Sequence, residues 1–571
     1  MNRTVVWFRR DLRLSDHAPL YRAARRGLVI PVFVFDRSLL LHPETGAGRV
    51  RFMLDCLAAL DRDLRSRQGR LILRAGDPVE VLPQLVKETQ ADGIYSYIDY
   101  ERIYGRVRDE RLNRALTQEN LKIRWFEPAG GVADLIDYPQ YRQLWYQDMR
   151  SPCIPAPQRV DVPPDIPSDA LPELETLGHS ADEKFIPQLM PRGGAAEAKR
   201  LLQVFFDQRK AKRYYWQLSY PSANATSGLS PYIKYGAISI RECAQTVWQR
   251  QADPQWQADQ RVQRSSHQLM SRLRWGSGFT QRFRYLPQLE LRSLYTPFDA
   301  PSELGSSEDR WDFNLEHYEA WKTGHTGFPI VDAAARCLQA TGGWLALNFR
   351  VRALYASFLS NLIGMDWRYG ALHFMRHLID GDCPIDHYQW AQQAGVTQCL
   401  DKAWTRIYNP EQEAIDRCDP KGEFVHRWVP ELAHLKPEQL GTPPAVKGYP
   451  TPILNYTEAR ARRVVRIQSQ RQEVIHAPNV VPWITRLPED VTPFGADLFL
   501  SDVSWAQQPV EALFPYALDL DSLDRRQATI LRSWLVVHGN WVREPNRQTA
   551  RKHNRARRQL EADSGQLNLL V

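Results

Sequence analysis

The first 135 residues alternate short β-rich runs with amphipathic stretches, and few architectures accept that pattern. Thr4–Phe8, Leu28–Phe35, Arg70–Arg74, Gly93–Tyr97 and Lys122–Phe126 each read as a strand buried on both faces, while Arg49–Arg67 and Val79–Gln90 carry helical periodicity. Strands that are apolar on both sides need cover on both sides. The alternation therefore predicts an α/β domain over 1–135 built on a doubly wound parallel sheet.

The pattern then changes twice. Prolines recur at 152, 155, 157, 163, 164, 167, 172, 187 and 191, so 136–195 is expected to be a connector without regular elements. From 196 to 471 helical periodicity takes over, for example in Ala196–Arg209, Ala333–Ala340, Arg350–Leu362 and Ala371–Leu378, which predicts a large all-α domain closed by a charged helix over Pro452–Arg471. Residues 472–571 form an extension, irregular at first. It then holds one convincing helix, Asp524–His538, and a basic run, Arg543–Arg558, that reads equally as a solvated tail or a nucleic-acid-binding arm.

Composition narrows the class. A chain of 571 residues allows roughly three or four units at the prior of about 150 residues each, enough to bury its own cores. No apolar run approaches the ~18 residues of a membrane span, and the opening MNRTVVWFRR has too short an apolar run for a signal peptide, so a cytoplasmic location is expected. Seven cysteines without a CxxC argue against disulfides and zinc. Cys383, Cys399 and Cys418 could at most hold an iron–sulfur cluster, and scattered core thiols are the simpler reading. A net charge of +8 favours a polyanionic partner such as nucleic acid.

Several segments carry chemistry. Thr226-Ser227-Gly228-Leu229-Ser230-Pro231 offers hydroxyls and backbone N–H groups ahead of an amphipathic stretch, Tyr232–Gln245, which suits a phosphate or, more simply, an N-cap. Further on stand Thr323–Ala333 (TGHTGFPIVDA), Asp366-Trp367-Arg368, Leu378–Asp382 (LIDGD), Arg406–Pro410 (RIYNP) and Arg427–Leu432 (RWVPEL).

In this order and spacing these motifs resemble the flavin domain of the cryptochrome/photolyase family, and Val6–His17 (VWFRRDLRLSDH) resembles its N-terminal antenna domain. The resemblance spans about residues 1–470 and is closest to class I photolyases of bacterial type, here with a C-terminal extension. It implies FAD in the helical domain, with Tyr214, Thr226, Ser227, Gly228, Leu229 and Ser230 around the phosphates. Arg352, Asp380 and Asp382 would sit at the flavin and adenine side, where an arginine and carboxylates stabilise and orient the cofactor. It also implies a tryptophan chain that reduces the photoexcited flavin. Trp367 fits the middle position and Trp311 the outer one. The inner position is Trp390 counted forward from Asp382, or Tyr388 counted back from Gly395, which would move Trp390 to the substrate side.

The chain departs from the family at informative places. Asp386 stands where repairing members carry an Asn facing flavin N5, although other gapping puts Ile385 or His387 there; a buried carboxylic acid can donate a proton at that atom. In Arg272–Phe279 (RLRWGSGF), Arg272 replaces a lesion-binding Glu and Gly276 an Arg, while Trp275 is kept for stacking on a flipped base. Either Asn348 or Phe349 takes the place of a pocket Asn, and Gly228 stands where an Arg often follows Thr-Ser. The resemblance thus implies a monomeric, light-driven enzyme that binds UV-damaged DNA and splits pyrimidine dimers. The alternative is a cryptochrome-like photoreceptor signalling to a protein partner through 472–571, and a dark flavin oxidoreductase is a remote third. An antenna pigment, folate or deazaflavin, would sit near Asp99–Asp109.

Overall fold

All five apolar runs enter one sheet, as strands β1 (Asn2–Phe8), β2 (Gly27–Phe35), β3 (Ile72–Ala75), β4 (Gly93–Tyr97) and β5 (Ile123–Phe126) in the order β3-β2-β1-β4-β5. Every pairing is parallel, with Val5 opposite both Ile30 and Ile94. The computed structural model describes residues 2–132, 138–180, 185–285, 314–396 and 406–476, with Glu290, Ser293 and Asp312 placed singly. Trp311, Cys399, Asp524–His538 and Arg543–Arg558 lie outside the described residues.

The period of two in β1 decides which core each side chain joins. Val5 and Trp7 pack with Leu82 and Val86 of helix α3 (Pro78–Thr89) and Leu112 of helix α4 (Ile103–Gln118). Val6 and Phe8 face the other way, into a core with Phe52 and Leu57 of helix α2 (Ala47–Arg65). Helix α1 (Ala18–Ala24) precedes these. The second core continues without a break into the helical half, through Phe205, Tyr232, Cys243 and Leu273.

The proline-rich connector departs from expectation at its start. Helix α5 (Tyr138–Arg150) forms there, burying Trp145 completely: Pro139 sits in its first turn, where a proline is tolerated, and the recurring prolines follow only from Pro152. Beyond it the chain is irregular and lies against the α/β domain, with Val160 N donating to Arg67 O (2.9 Å) and Val29 N to Asp161 O (2.8 Å).

The helical half begins with α6 (Ala195–Asp207). The stretch expected as one helix, Tyr232–Gln245, is instead split between α7 (Ser230–Lys234) and α8 (Ile240–Ala252). Gly236 breaks it: its φ is +60°, and a Cβ there would lie 2.2 Å from Arg10 O. The close approach lets Leu12 N donate to Tyr235 O (3.0 Å), so the β1 exit loop docks on this turn. There follow α9 (Gln260–Tyr285), α10 (Leu315–Thr323), α11 (Pro329–Thr341) and α12 (Phe349–Ser357), which passes into a π-helical turn over Phe358–Ile363. Then come α13 (Trp367–His377), α14 (Cys383–Gln393), α15 (Gln412–Cys418), α16 (Glu423–Trp428) and α17 (Tyr456–His476). Cys383 and Cys418 are buried in this core, and among the described residues no group of side chains could hold a metal ion and no helix is long and apolar enough to cross a membrane.

A buried ionic cluster ties the halves together. Glu44, ahead of α2, accepts from His387 Nε2 of α14 at 2.8 Å and from Arg102, which also reaches Glu290 at 2.8 Å; His387 Nδ1 faces Glu290 O at 2.7 Å. Glu44 is 1 % exposed. Burial opposes each charge, yet Glu44 raises His387 far above the ordinary imidazole range, and His387 with Arg102 holds Glu44 well below that of a carboxylate. A buried charge stripped of its partner costs about 3–5 kcal/mol. Glu44→Gln is therefore expected to lower the unfolding free energy by about that amount, read from urea titration at pH 7.

Candidate functional site

One cavity of about 540 Å³ opens where the helical half meets the C-terminal ends of β1 and β4. Its wall brings together Tyr214, the whole segment Thr226–Ser230, Arg272, Trp275, Asn348, Arg352, Asp380, Asp382, Asp386 and Trp390. Tyr388 and Trp367 are not among the lining residues, and Trp311 lies outside the described ones.

The Thr226–Ser230 segment is not a capping device: α7 has no side-chain cap, and the hydroxyls of Thr226, Ser227 and Ser230 make no hydrogen bond to described residues. Gly228 is required by its backbone, at φ +72° with Leu345 3.0 Å from where a Cβ would stand, and Trp344 Nε1 donates to its carbonyl at 2.9 Å. Arg272 crosses from α9 between Tyr214 and the Phe349 ring (5.5 Å), and no carboxylate pairs with it among the described residues; burial lowers its pKa. Asn348 is the N-cap of α12, its Oδ1 accepting from Val351 N at 3.0 Å.

The carboxylates of the LIDGD segment and its helix have three different fates. Asp380 takes both Arg352 Nη atoms at 3.3 Å. Asp382 Oδ2 accepts from Arg10 Nη1 at 2.7 Å and lies 3.6 Å from Lys234 Nζ, so a side chain of the α/β domain reaches the cavity. Asp386 has no such partner, and burial pushes it up to about 7, with Glu44 and Asp380 adding to the rise and His387 and Arg352 opposing it.

Five cavity-lining residues present buried polar atoms without a hydrogen-bond partner: Arg13 Nε, Asn348 Nδ2, Asp382 Oδ1, Asp386 Oδ2, and both amide atoms of Gln393. Buried polar atoms are normally satisfied, so such a convergence calls for a polar ligand. A cofactor carrying a hydrogen-bonding ring system at one end and phosphates at the other matches this wall, whose hydroxyl loop suits the phosphates.

The aromatic surroundings refine the electron-relay expectation. Trp390 lies on the cavity wall, 2 % exposed, against the backbone of Gly370, where a Cβ would come within 2.3 Å of its ring. Its ring neighbours are Trp321 (6.1 Å, 80°) and Phe374 (5.7 Å); Trp321 in turn stacks on Tyr355 (4.1 Å, 14°) and Tyr318 (6.0 Å, 14°). Trp367 instead meets His387 at 6.2 Å and donates to Ser293 Oγ at 3.2 Å. Tyr388 projects toward α9, against Phe279 (5.2 Å) and under Arg282 (4.2 Å). Sequence reasoning missed Trp321, Arg10, Lys234 and Gln393. The only signal for Trp321 was its place just before TGHTG, and nothing local marks the others.

The crevice between β1 and β4, where an open α/β sheet ordinarily takes a ligand, is lined by ion-paired side chains. Arg9 pairs with Asp109 (2.8 Å) over the Trp7 ring, and Arg108 pairs with Asp36 and Asp109 (3.0 Å each). Asp99 takes Arg10 at 2.6 Å. The acids at the ends of Asp99–Asp109 are thus engaged by arginines.

Comparison with known proteins agrees with this architecture. Residues 4–129 match the DNA photolyase family model, and residues 269–469 match the FAD-binding domain of DNA photolyase. The chain is 31 % identical to a deoxyribodipyrimidine photo-lyase of Synechococcus sp. over 84 % of its length and 99 % of that protein's. It is 30 % identical to a cryptochrome DASH of Gloeobacter violaceus, covering 77 % of this chain and 88 % of the other. An archaeal photolyase from Sulfolobus tokodaii, solved with two FAD molecules, superposes with a TM-score of 0.65 at 28 % identity, covering 83 % of this chain and 100 % of that one. The chain belongs to the photolyase/cryptochrome family and carries its FAD-binding domain.

Asp386 gives the site a pH signature. Between its unfolded value of about 3.9 and its folded value of about 7, the native chain binds more protons here than the unfolded one, so this group's contribution to stability falls as pH rises through that window. Urea titrations at pH 5 and pH 8 should show Asp386→Asn gaining stability over the parent at pH 8, with a smaller gain at pH 5.

Proposed function

We propose that this chain is a light-driven DNA repair enzyme that binds a UV-damaged pyrimidine pair, flipped from the duplex, in the cavity that also holds its FAD. The observation that carries this reading is the shared wall: Trp275, Arg272 and Asn348 line the same 540 Å³ space as Thr226–Ser230, Arg352 and Asp380. FAD, when bound and reduced, supplies the electron donor excited by blue light. Thr226, Ser227, Ser230 and Tyr214 would hold its phosphate region, and Arg352, braced by Asp380, its ring system.

Trp275, packed against Phe279 at 4.9 Å, gives a flat apolar face on which an extruded base can stack. Asn348 Nδ2 is available to donate a hydrogen bond to a carbonyl oxygen. Arg272 offers a cation where a glutamate would have accepted hydrogen bonds, so the recognised group is an acceptor or an anion rather than a donor. Trp390, carried into the protein by Trp321, and Trp367 on a separate path, are proposed as the residues that re-reduce the cofactor.

Asp386 supports a second reading. A carboxyl raised to about 7 is largely protonated just below neutral pH and can give a proton to a ligand in the cavity, a trait suited to a photoreceptor. In that reading a protein partner would be addressed through 472–571.

Two measurements separate these readings. The FAD-loaded, reduced protein is mixed with oligonucleotides carrying a cyclobutane dimer or a (6-4) product, and restored bases are counted after blue light and after darkness. Light-dependent restoration is expected, and Trp275→Ala should weaken binding of the lesion oligonucleotide about ten-fold, near the ~1–3 kcal/mol of one stacked base. Absence of restoration with FAD bound and photoreducible would favour the photoreceptor. Separately, Trp390→Phe is expected to slow light-driven loss of the oxidised-flavin absorbance in the presence of an external reductant, whereas Tyr388→Phe leaves it near the parent rate.

A further inference from the structure

A second groove lies on the far side of α9 from the cavity. It measures about 530 Å³, is bounded by α5, α8, α9 and the turn at Tyr215, and shares no lining residue with the first. Four arginines line it, Arg142, Arg150, Arg264 and Arg274, and none of the described residues lining it is a carboxylate.

Arg274 is the informative member. It is 3 % exposed, its Nη1 donates to Tyr146 OH, its Nε has no hydrogen-bond partner, and no carboxylate pairs with it among the described residues. Other buried arginines are satisfied either by acids, as Arg102 by Glu44 and Arg108 by Asp36, or by backbone carbonyls, as Arg13 and Arg49; among the described residues Arg274 has only the Tyr146 hydroxyl. A buried guanidinium facing a groove of like charge lacks the counter-ion that ordinarily accompanies it.

Aromatic rings supply the other half of the site. Tyr146 lies 5.3 Å from the Arg274 guanidinium and 5.8 Å from that of Arg142, and Trp248 lies 5.8 Å from Arg150. A simple inorganic anion would use the charges and leave the rings idle. Alternating cations and flat rings in a solvent-open groove match a phosphate with its base attached.

The geometry points to a nucleotide-binding groove, distinct from the FAD cavity, that takes a phosphate on Arg150, Arg264 and Arg274 with a base stacked on Trp248 or Tyr146. The nucleotide could belong to an unpaired DNA strand or be free in solution. The test is run in the dark with undamaged DNA, so its result stands whether or not the protein repairs lesions.

Fluorescence anisotropy of fluorescein-labelled dT12 with the FAD-loaded protein would be followed against salt, with dTMP as competitor. Arg150 and Arg264 are exposed, so the double variant Arg150→Ala/Arg264→Ala should keep its FAD absorbance and fold. It is expected to bind dT12 more weakly, with the log–log salt slope smaller by about 2, one per arginine. The exposed pair Arg65→Ala/Arg159→Ala, equal in charge change, should leave binding near the parent level. Competition by dTMP, lost in the groove variant, would identify a free nucleotide as sufficient; weakened dT12 binding without competition would identify the strand. A groove variant with the parent's affinity and salt slope, or a parent that binds neither probe, overturns the proposal.

Discussion

The carboxylate of Glu44 holds the structure's two halves in register. It stands at the foot of α2, and it grips both Arg102 of the α/β domain and His387 of α14. A buried ion cluster of this kind adds little net stability compared with an apolar core, but it tolerates one arrangement only, since any shift strands a charge in a medium that solvates it poorly. That directionality fixes α14 against the α/β domain. It therefore places Asp382 beside Arg10 and Asp386 beside the cavity, and the electrostatic field of the same cluster acts on the Asp386 proton.

Two carboxylates one turn apart on that helix thereby meet different surroundings. Asp382 is drawn into an ion pair by an arginine of the first domain; Asp386 is left without a counter-ion and keeps its proton toward neutral pH. The ion-paired acid anchors one domain to the other, and the unpaired one can exchange a proton. On the opposite wall Arg272 places a cation without a carboxylate partner among the described residues. The cavity thus combines a stacking surface suited to repair with a protonatable acid suited to signalling.

Much of this was legible in the sequence, for physical reasons. The five strand runs were unmistakable because residues such as Val5, Val6, Trp7 and Phe8 are apolar on both faces, which only a doubly covered sheet requires. The members of the cavity wall were found because ordered motifs carried a family resemblance. Local pattern failed where a long-range contact overrode it. Tyr232–Gln245 has helical periodicity, yet Gly236 is turned to φ +60° by the backbone of Arg10, and the helix breaks. The proline count hid α5, because helix-breaking begins only at Pro152. Spacing alone left Tyr388 and Trp390 open as the inner aromatic; helix phase then turned Trp390 to the cavity and Tyr388 toward α9.

By itself, then, the chain's order of residues determined the α/β domain and the helical domain, because hydrophobic period is a local property, and its ordered motifs carried the resemblance that named most of the side chains now found on one cavity wall. Tertiary structure alone decided which of those side chains are charged, paired or left open. The contact that governs them joins Glu44 to His387 across 343 residues, and Arg10 reaches Asp382 across 372. No window of sequence spans such a distance, and the proton on Asp386 depends on burial and field, which exist only once the two domains have closed on each other.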